Sequence, residues 1–428
     1  MNPVPVIIDT DPGVDDVVAI LLALSSPELQ ILSFIVTFGN TDVEASYLNI
    51  LKVYQAISHQ IEQNPSHKDR FPYFAPDVKP ILAKGCTGPL EGELHSAQYF
   101  HGRDGLGGIT ERHPELSITE AKLKEAYPNL VFSDKSGVDV AIDILRSHAP
   151  RSVTYIALGP LTTLATIMRQ QPELFRDRIG RVVCMGGALD VPGNTSPVAE
   201  FNFFADPFAV KELLMPAPPL LGLPLDRFIL LPLDTTTSHE LPFPFYRQHV
   251  DPAFDSSSSP SLVIDKSPIA HFTSSFLEKT REVMLSFGKD CMELHDIVAV
   301  WCAIENPPQP DNQPIGLSPK WQARTRKFDV ERTGELTRGM LVVDRRDDDQ
   351  SAYAPGINRS EIQKEFGSLD HAKCVHGEWE STVLPAQVEV ETAAETHTPG
   401  SGVLCITQTP GPDVLLKILM GRVWGVAA

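Results

Sequence analysis

Apolar positions along the chain switch repeatedly between short continuous runs and helical spacing. Val4 to Ile8 is a continuous, largely β-branched run, as expected of a strand buried on both faces. Pro12-Gly13 signals a turn behind it, and from Asp15 to Leu24 the apolar residues take a helical period. Ile31 to Phe38 then predicts a strand and Val43 to Ser58 a helix. Further on, Gly137 to His148 predicts an amphipathic helix, Val153 to Leu158 a strand, Thr163 to Arg169 a helix and Val182 to Met185 a short buried strand. Arg227 to Leu231 predicts one more strand, with helices from Ala270 to Phe287 and from Met292 to Ile304. The alternation predicts an α/β fold: a single large open, mainly parallel sheet, Rossmann-like, with helices on both faces. Phe328 to Asp344 adds a small antiparallel C-terminal hairpin, and Asp413 to Val423 a final amphipathic helix packing back on the core.

This pattern predicts one α/β domain over residues 1–345, with polar surface insertions near 60–79 and 110–133. Residues 346–428 read as an irregular extension ending in the last helix; Arg345 to Ser368 is highly charged and Thr382 to Gly402 is rich in Thr, Glu and Pro. Lys84 to Ile109 holds seven glycines without a helical period, as expected of a mobile loop of the kind that serves as a lid.

Composition narrows the classes. With 36 Lys and Arg against 55 Asp and Glu the formal charge is −19, so the surface repels phosphate backbones and anionic membranes. Nucleic-acid and membrane partners are therefore not expected. The six cysteines are scattered without a C-x-x-C pair and read as reduced thiols. The N-terminal apolar run is too short for a signal peptide or a membrane span. A cytoplasmic protein is expected.

The densest chemistry is Asp9-Thr10-Asp11-Pro12-Gly13-Val14-Asp15-Asp16, four carboxylates within eight residues at the C-terminal end of a predicted strand. That edge is where open α/β sheets bind ligands. Asp15 and Asp16 start a helix and diverge by about 100°. One can face a metal while its neighbour faces a substrate, and a bound cation would relieve the repulsion. A solvated turn with an acidic helix cap is the plainer alternative. An EF-hand loop beginning at Asp9 fails, since Ile20 takes the position that needs a glutamate.

The whole string Asp-Thr-Asp-Pro-Gly-Val-Asp-Asp resembles the N-terminal signature of the inosine–uridine-preferring nucleoside hydrolases. Other stretches resemble the same family in its order. They are His101 to Gly107 (its flexible active-site loop), Gly193 to Pro207 behind Met185-Gly186-Gly187, Leu294-His295-Asp296, and the hairpin at Gly334 to Met340. The resemblance implies hydrolysis of the N-glycosidic bond of ribonucleosides to free base and ribose. It implies a Ca²⁺ cofactor held by Asp11, Asp16, Asp296 and the backbone carbonyl of Leu158, where family members often have Thr. It implies sugar contacts from Asp15, Asn40, Asn194, Glu200 and Asn202, with Met185 and Phe201 packing nearby and His101 binding substrate from the flexible loop. Asp11 would deprotonate the metal-activated water and His295 would assist the leaving base. His295 and Asn40 favour the inosine–uridine branch over relatives restricted to purines. A homodimer or homotetramer is implied as well.

From the residues alone, Glu200 and Asn202 alternate with Phe201 and Phe203, so both polar groups would point one way in an extended segment. Two alternatives stay open at this level. One is a metal-dependent phosphatase of the haloacid-dehalogenase type, with Asp9 or Asp11 as nucleophile. The other is a non-catalytic nucleoside-binding protein whose insertions obstruct the pocket.

Overall fold

A computed structural model of the chain describes residues 3–74, 79–118, 127–216, 222–264, 266–309, 316–343 and 402–427. The strands, in chain order, are β1 (Val4–Thr10), β2 (Leu29–Val36), β3 (Ile81–Lys84), β4 (Val131–Phe132), β5 (Val153–Ala157), β6 (Ile179–Met185), β7 (Phe228–Leu231), β8 (Glu240–Pro242), β9 (Cys291–Glu293), β10 (Gln322–Arg326), β11 (Asp329–Val330), β12 (Leu341–Val342) and β13 (Val403–Gln408). Nine of them form one sheet in the order β10-β13-β7-β6-β5-β1-β2-β3-β4. Every pairing is parallel except the edge pair β10/β13. The predicted architecture is therefore present, and the expected hairpin is the antiparallel β11/β12 pair.

Period two along β1 sends Val6 and Ile8 to one core and Ile7 to the other, so a continuous apolar run is what this position demands. The first core packs the helices Val14–Leu24, Val43–Gln63, Pro268–Ser286 and His295–Glu305. The second packs Gly137–Ser147, Thr162–Gln170, Pro172–Arg178 and Pro207–Leu214. β1 lies between β5 and β2, with Ile8 registered against both Phe34 and Ile156. From β1 the chain builds outward to β4, then returns to β5 on the other side. That reversal opens a crevice at the C-terminal ends of β1 and β5.

Several segments depart from the sequence reading. The helix expected to stop at Ser58 runs to Gln63, and Phe71 beyond it is fully buried. Gln60 accepts the Ile269 amide at 3.2 Å, so part of this apparent insertion is core. In the second apparent insertion, Leu130 is buried and Val131–Phe132 extends the sheet as β4. Met292 is in β9, paired with β8, and the next helix begins only at His295. The segment before the final helix supplies β13, which pairs with β7 on one side and β10 on the other. The last helix is Pro412–Leu419, continuing to Trp424, with Leu415, Leu419, Met420 and Val423 fully buried. The expectations for residues 345–368 and 382–401 fall outside the described residues.

β13 thus carries core rather than an appendage, and Ile406 within it is 1% exposed. Ile406→Ala should lower the unfolding free energy by about 2–5 kcal/mol. Denaturant unfolding checks this, and an unchanged midpoint would mean that β13 does not pack as described.

Candidate active site

Side chains gather at the crevice because each sits just past a strand end or in the first turn of a helix. Asp11 follows β1, Asn40 follows β2, Leu158 follows β5 and Met185 ends β6. Asp15 and Asp16 begin the helix Val14–Leu24, and Asp296 begins the helix His295–Glu305. Carboxylate oxygens of Asp15, Asp16 and Asp296 all lie within 4.8 Å of one another. Asp16 Oδ1 accepts from Thr10 Oγ1 at 2.5 Å, and its Oδ2 accepts from Asn40 Nδ2 at 2.8 Å and from the Gly13 amide at 3.1 Å. The Asn40 amide donates to Asp11 Oδ2 at 2.7 Å, while Asp11 Oδ1 is buried without a hydrogen-bond partner.

Asp11 is also packed tightly by backbone. A methyl group on Gly159 would fall 2.6 Å from Asp11 Oδ1, and one on Gly39, at φ +154°, only 1.9 Å from Oδ2. Both positions therefore require glycine.

Burial first, and then the neighbouring carboxylates, push the Asp11 and Asp296 carboxyls well above the usual range. Burial and Asp16 lift Asp15 to about 7 against the pull of His295. A site of crowded, buried, all-oxygen donors with one oxygen unpartnered fits a hard divalent cation. The grouping differs from the implied ligand set: Asp15, assigned to the sugar, stands with Asp16 and Asp296, and Asp11 is not one of the three. Asp9 stands apart, its Oδ2 accepting from Tyr155 at 2.7 Å.

A cavity of about 700 Å³ opens above this cluster. Its lining includes Asp15, Asn40, His101, Leu158, Met185, Asn194, Glu200, Phe201, Asn202, His295 and Asp296, so the structure brings these sequence-predicted residues together. Asp11 and Asp16, both 0% exposed, lie beneath the lining rather than in it.

The segment carrying Glu200 and Asn202 is not extended. Phe201–Ala205 is a short helix capped by Glu200, whose carboxylate accepts from the amides of Asn202 and Phe203 and from that of Gly187 at 2.7 Å. Unpaired amides at a helix start take the nearest acceptor, and here they fix the carboxylate in place. Asn194 Oδ1 accepts the Phe201 amide at 3.0 Å. Asn202 Nδ2 donates to the carbonyl of Leu158 at 2.6 Å, tying this helix to the end of β5.

His295 has partners at both ring nitrogens: Thr236 Oγ1 at 2.8 Å from Nδ1 and Glu293 Oε2 at 3.1 Å from Nε2. Burial opposes its charge, but Glu293, Asp15 and Glu200 prevail and hold the imidazole above its usual range. Burial likewise opposes ionised Glu293, yet His295 and Lys289 bring it down to about 2. His101 is the opposite case. Its Nδ1 accepts the Val14 amide at 3.1 Å, and burial lowers it to about 3, so it is a neutral ring. The loop behind it is braced by Asp104, which accepts amides from Leu106, Gly108 and Thr110.

Sequence reasoning missed Glu293 and Thr236 as partners of His295. Glu293 stands two residues before it in the chain, a signal that was available. Thr236 is a tertiary contact and left none. Tyr99, Met284, Phe287 and Lys289 also line the cavity unforeseen.

The profile of the family described as inosine-uridine preferring nucleoside hydrolase matches residues 6–365. An inosine-uridine preferring nucleoside hydrolase of Leishmania major is 34% identical over 211 residues, covering 48% of this chain and 55% of that protein. A pyrimidine-specific ribonucleoside hydrolase, RihA, of Salmonella enteritidis is 33% identical over 224 residues, covering 52% and 60%. The matched stretches thus span little more than half the length of these relatives. Among solved structures, a purine-preferring ribonucleoside hydrolase from Gardnerella vaginalis superposes with a TM-score of 0.62 at 20% identity, over 98% of both chains. A plant nucleoside hydrolase gives 0.61 at 20% identity, over 99% of both. With a sheet of the same kind and a profile match across most of its length, the chain belongs to the inosine-uridine preferring nucleoside hydrolase family.

Proposed function

We propose that this chain hydrolyses the N-glycosidic bond of inosine- or uridine-type ribonucleosides, releasing free base and ribose. One observation carries the reading: a single cavity has a carboxylate cluster at its floor and a hydrogen-bonded His295–Glu293 pair in its wall. Its volume of about 700 Å³ falls in the range of small-molecule sites. The phosphatase alternative is set aside because the profile match over residues 6–365 is to the nucleoside hydrolase family.

Asp11, Asp16, Asp296 and the Leu158 carbonyl would hold Ca²⁺, and Asp15 stands close enough to share in it. When bound, the ion supplies charge that orients a diol and acidifies water. The chain's own groups do the rest. Asp11 is fixed through Oδ2 by the Asn40 amide, which leaves Oδ1 to take a proton from water. Asn194, Glu200 and Asn202 are immobilised by backbone hydrogen bonds, so a sugar placed among them meets fixed donors and acceptors. His295 holds a proton between Glu293 and Thr236 and can pass it to a departing base. Neutral His101 is a poor acid and serves as a wall. The five described cysteines are free thiols, which supports a cytoplasmic setting. Self-association as a dimer or tetramer is part of the proposal; a monomeric mass in light scattering would remove it.

An assay with inosine, uridine and p-nitrophenyl phosphate tests the reaction: free ribose from a nucleoside supports it, and phosphate release alone overturns it. Asp16→Ala should lose Ca²⁺ binding and activity together; full activity in preparations shown to be metal-free by elemental analysis would refute the role of the ion. For Asp11→Asn, kcat should fall by about two orders of magnitude or more, since the amide cannot accept the proton. A near-normal kcat would remove Asp11 from the chemistry. His295→Ala should cost about 10²- to 10⁴-fold in kcat on inosine or uridine while sparing p-nitrophenyl riboside, whose leaving group needs no proton. Equal losses on both substrates would show that His295 only packs at the helix start.

A further inference from the structure

A second constellation of ligating side chains lies outside the cavity. His113, Glu115 and His271 each present a donor atom, all within 4.8 Å of one another, and none of the three lines the active-site cavity. His113 and Glu115 flank Pro114, and His271 projects from the first turns of the helix Pro268–Ser286. Glu115 Oε1 lies 3.3 Å from His113 Nδ1 and 2.9 Å from His271 Nε2.

The remaining nitrogens decide what this arrangement is for. His113 Nε2 lies 3.4 Å from Glu278 Oε2, a carboxylate that also takes Arg112 Nη1 at 2.8 Å and the Ser261 amide. His271 Nδ1 lies 3.1 Å from Ser261 Oγ, which Lys266 Nζ holds at 2.8 Å. When each ring donates its outer N–H to that partner, His113 Nδ1 and His271 Nε2 turn their lone pairs on Glu115. Outer hydrogen bonds of this kind, to a carboxylate or a hydroxyl, are what orient metal-bound histidines. The inner face then holds three electron-pair donors and no proton.

We propose that His113, Glu115 and His271 form a second metal site, selective for a nitrogen-seeking divalent ion such as zinc. Two imidazoles and one carboxylate suit zinc, whereas calcium prefers oxygen donors throughout. Tetrahedral bonds of about 2.0–2.1 Å place ligand atoms about 3.3 Å apart, close to the 3.3 and 2.9 Å that separate Glu115 Oε1 from the two ring nitrogens. Both histidines are buried while the Glu115 side chain is 45% exposed, which gives the ion a way in and leaves a fourth position for water. Its effect is mechanical. The ion would fasten the chain just after the His101–Arg112 loop to a helix whose far end brings Met284 to the cavity.

Cobalt(II) titration of the full chain in saturating Ca²⁺ tests this, since tetrahedral cobalt has visible absorption that calcium sites lack. One equivalent of absorbing cobalt, displaced by zinc, is expected in the wild type and in Asp16→Ala alike. His271→Gln should abolish the signal, and Ser261→Ala should weaken binding roughly ten- to a hundred-fold. If circular dichroism shows that His271→Gln does not fold, Glu115→Gln, altered on a half-exposed side chain, takes its place with the same expectation. No absorbing cobalt, binding lost in Asp16→Ala, or binding undiminished when the ligand is replaced would each overturn the site and leave only a hydrogen-bonded cluster. None of these readouts depends on nucleoside hydrolysis.

Discussion

Mutual repulsion among buried carboxylates is the constraint on which this structure turns. Two unit charges at about 4 Å repel by about 4 kcal/mol at an effective dielectric of 20, and Asp15, Asp16 and Asp296 make three such pairs. Two helix N-termini converge on them, those of Val14–Leu24 and His295–Glu305. Each helix end offers about 0.3–2 kcal/mol, too little to offset the repulsion. A bound cation, as proposed, would balance the site. The scaffold's contribution is to make the arrangement unavoidable: the two helices pack on each other and on the sheet through almost wholly buried faces, so neither end can swing away.

That rigidity also explains the division of labour among the polar groups. Glu200, Asn194 and Asn202 satisfy backbone groups before they meet anything in the cavity. A side chain held by several backbone hydrogen bonds loses little further freedom when it binds a ligand. The two histidines at the cavity part ways for the same local reason. His101 accepts an amide proton in a buried position and stays neutral, whereas His295 faces carboxylates that favour its charged form.

The sheet was largely legible in the sequence because parallel strands buried on both faces read as uninterrupted apolar runs. So was the acidic cluster, since Asp11, Asp15 and Asp16 sit in one short stretch between a strand end and a helix start. What escaped was of two kinds. Glu-Phe-Asn-Phe alternates as a strand does, but helix Phe201–Ala205 forms because Glu200 can cap it, and period two over so short a run does not discriminate. Met292 resembles part of the helix because apolar residues recur beyond it at Leu294, Ile297 and Val298, whereas the pairing that makes it a strand lies far away at Glu240–Pro242. β13 was missed for a like reason: Val403–Gln408 is short, follows a polar stretch, and gains its meaning only from β7 and β10. The partnership of His295 with Thr236 is tertiary too.

The place of β13 bears on how the molecule is made. A strand reached only after residue 402 lies inside the sheet, not at its rim. Until a ribosome has delivered it, β7 offers an open row of amides and carbonyls to any extended chain nearby. β10 has no seat before that moment. Biosynthesis thus includes an interval in which most of the polypeptide is present but its sheet is incomplete, the kind of intermediate that chaperones hold. Nonsense mutations upstream of residue 403 would then yield sticky chains rather than trimmed enzymes.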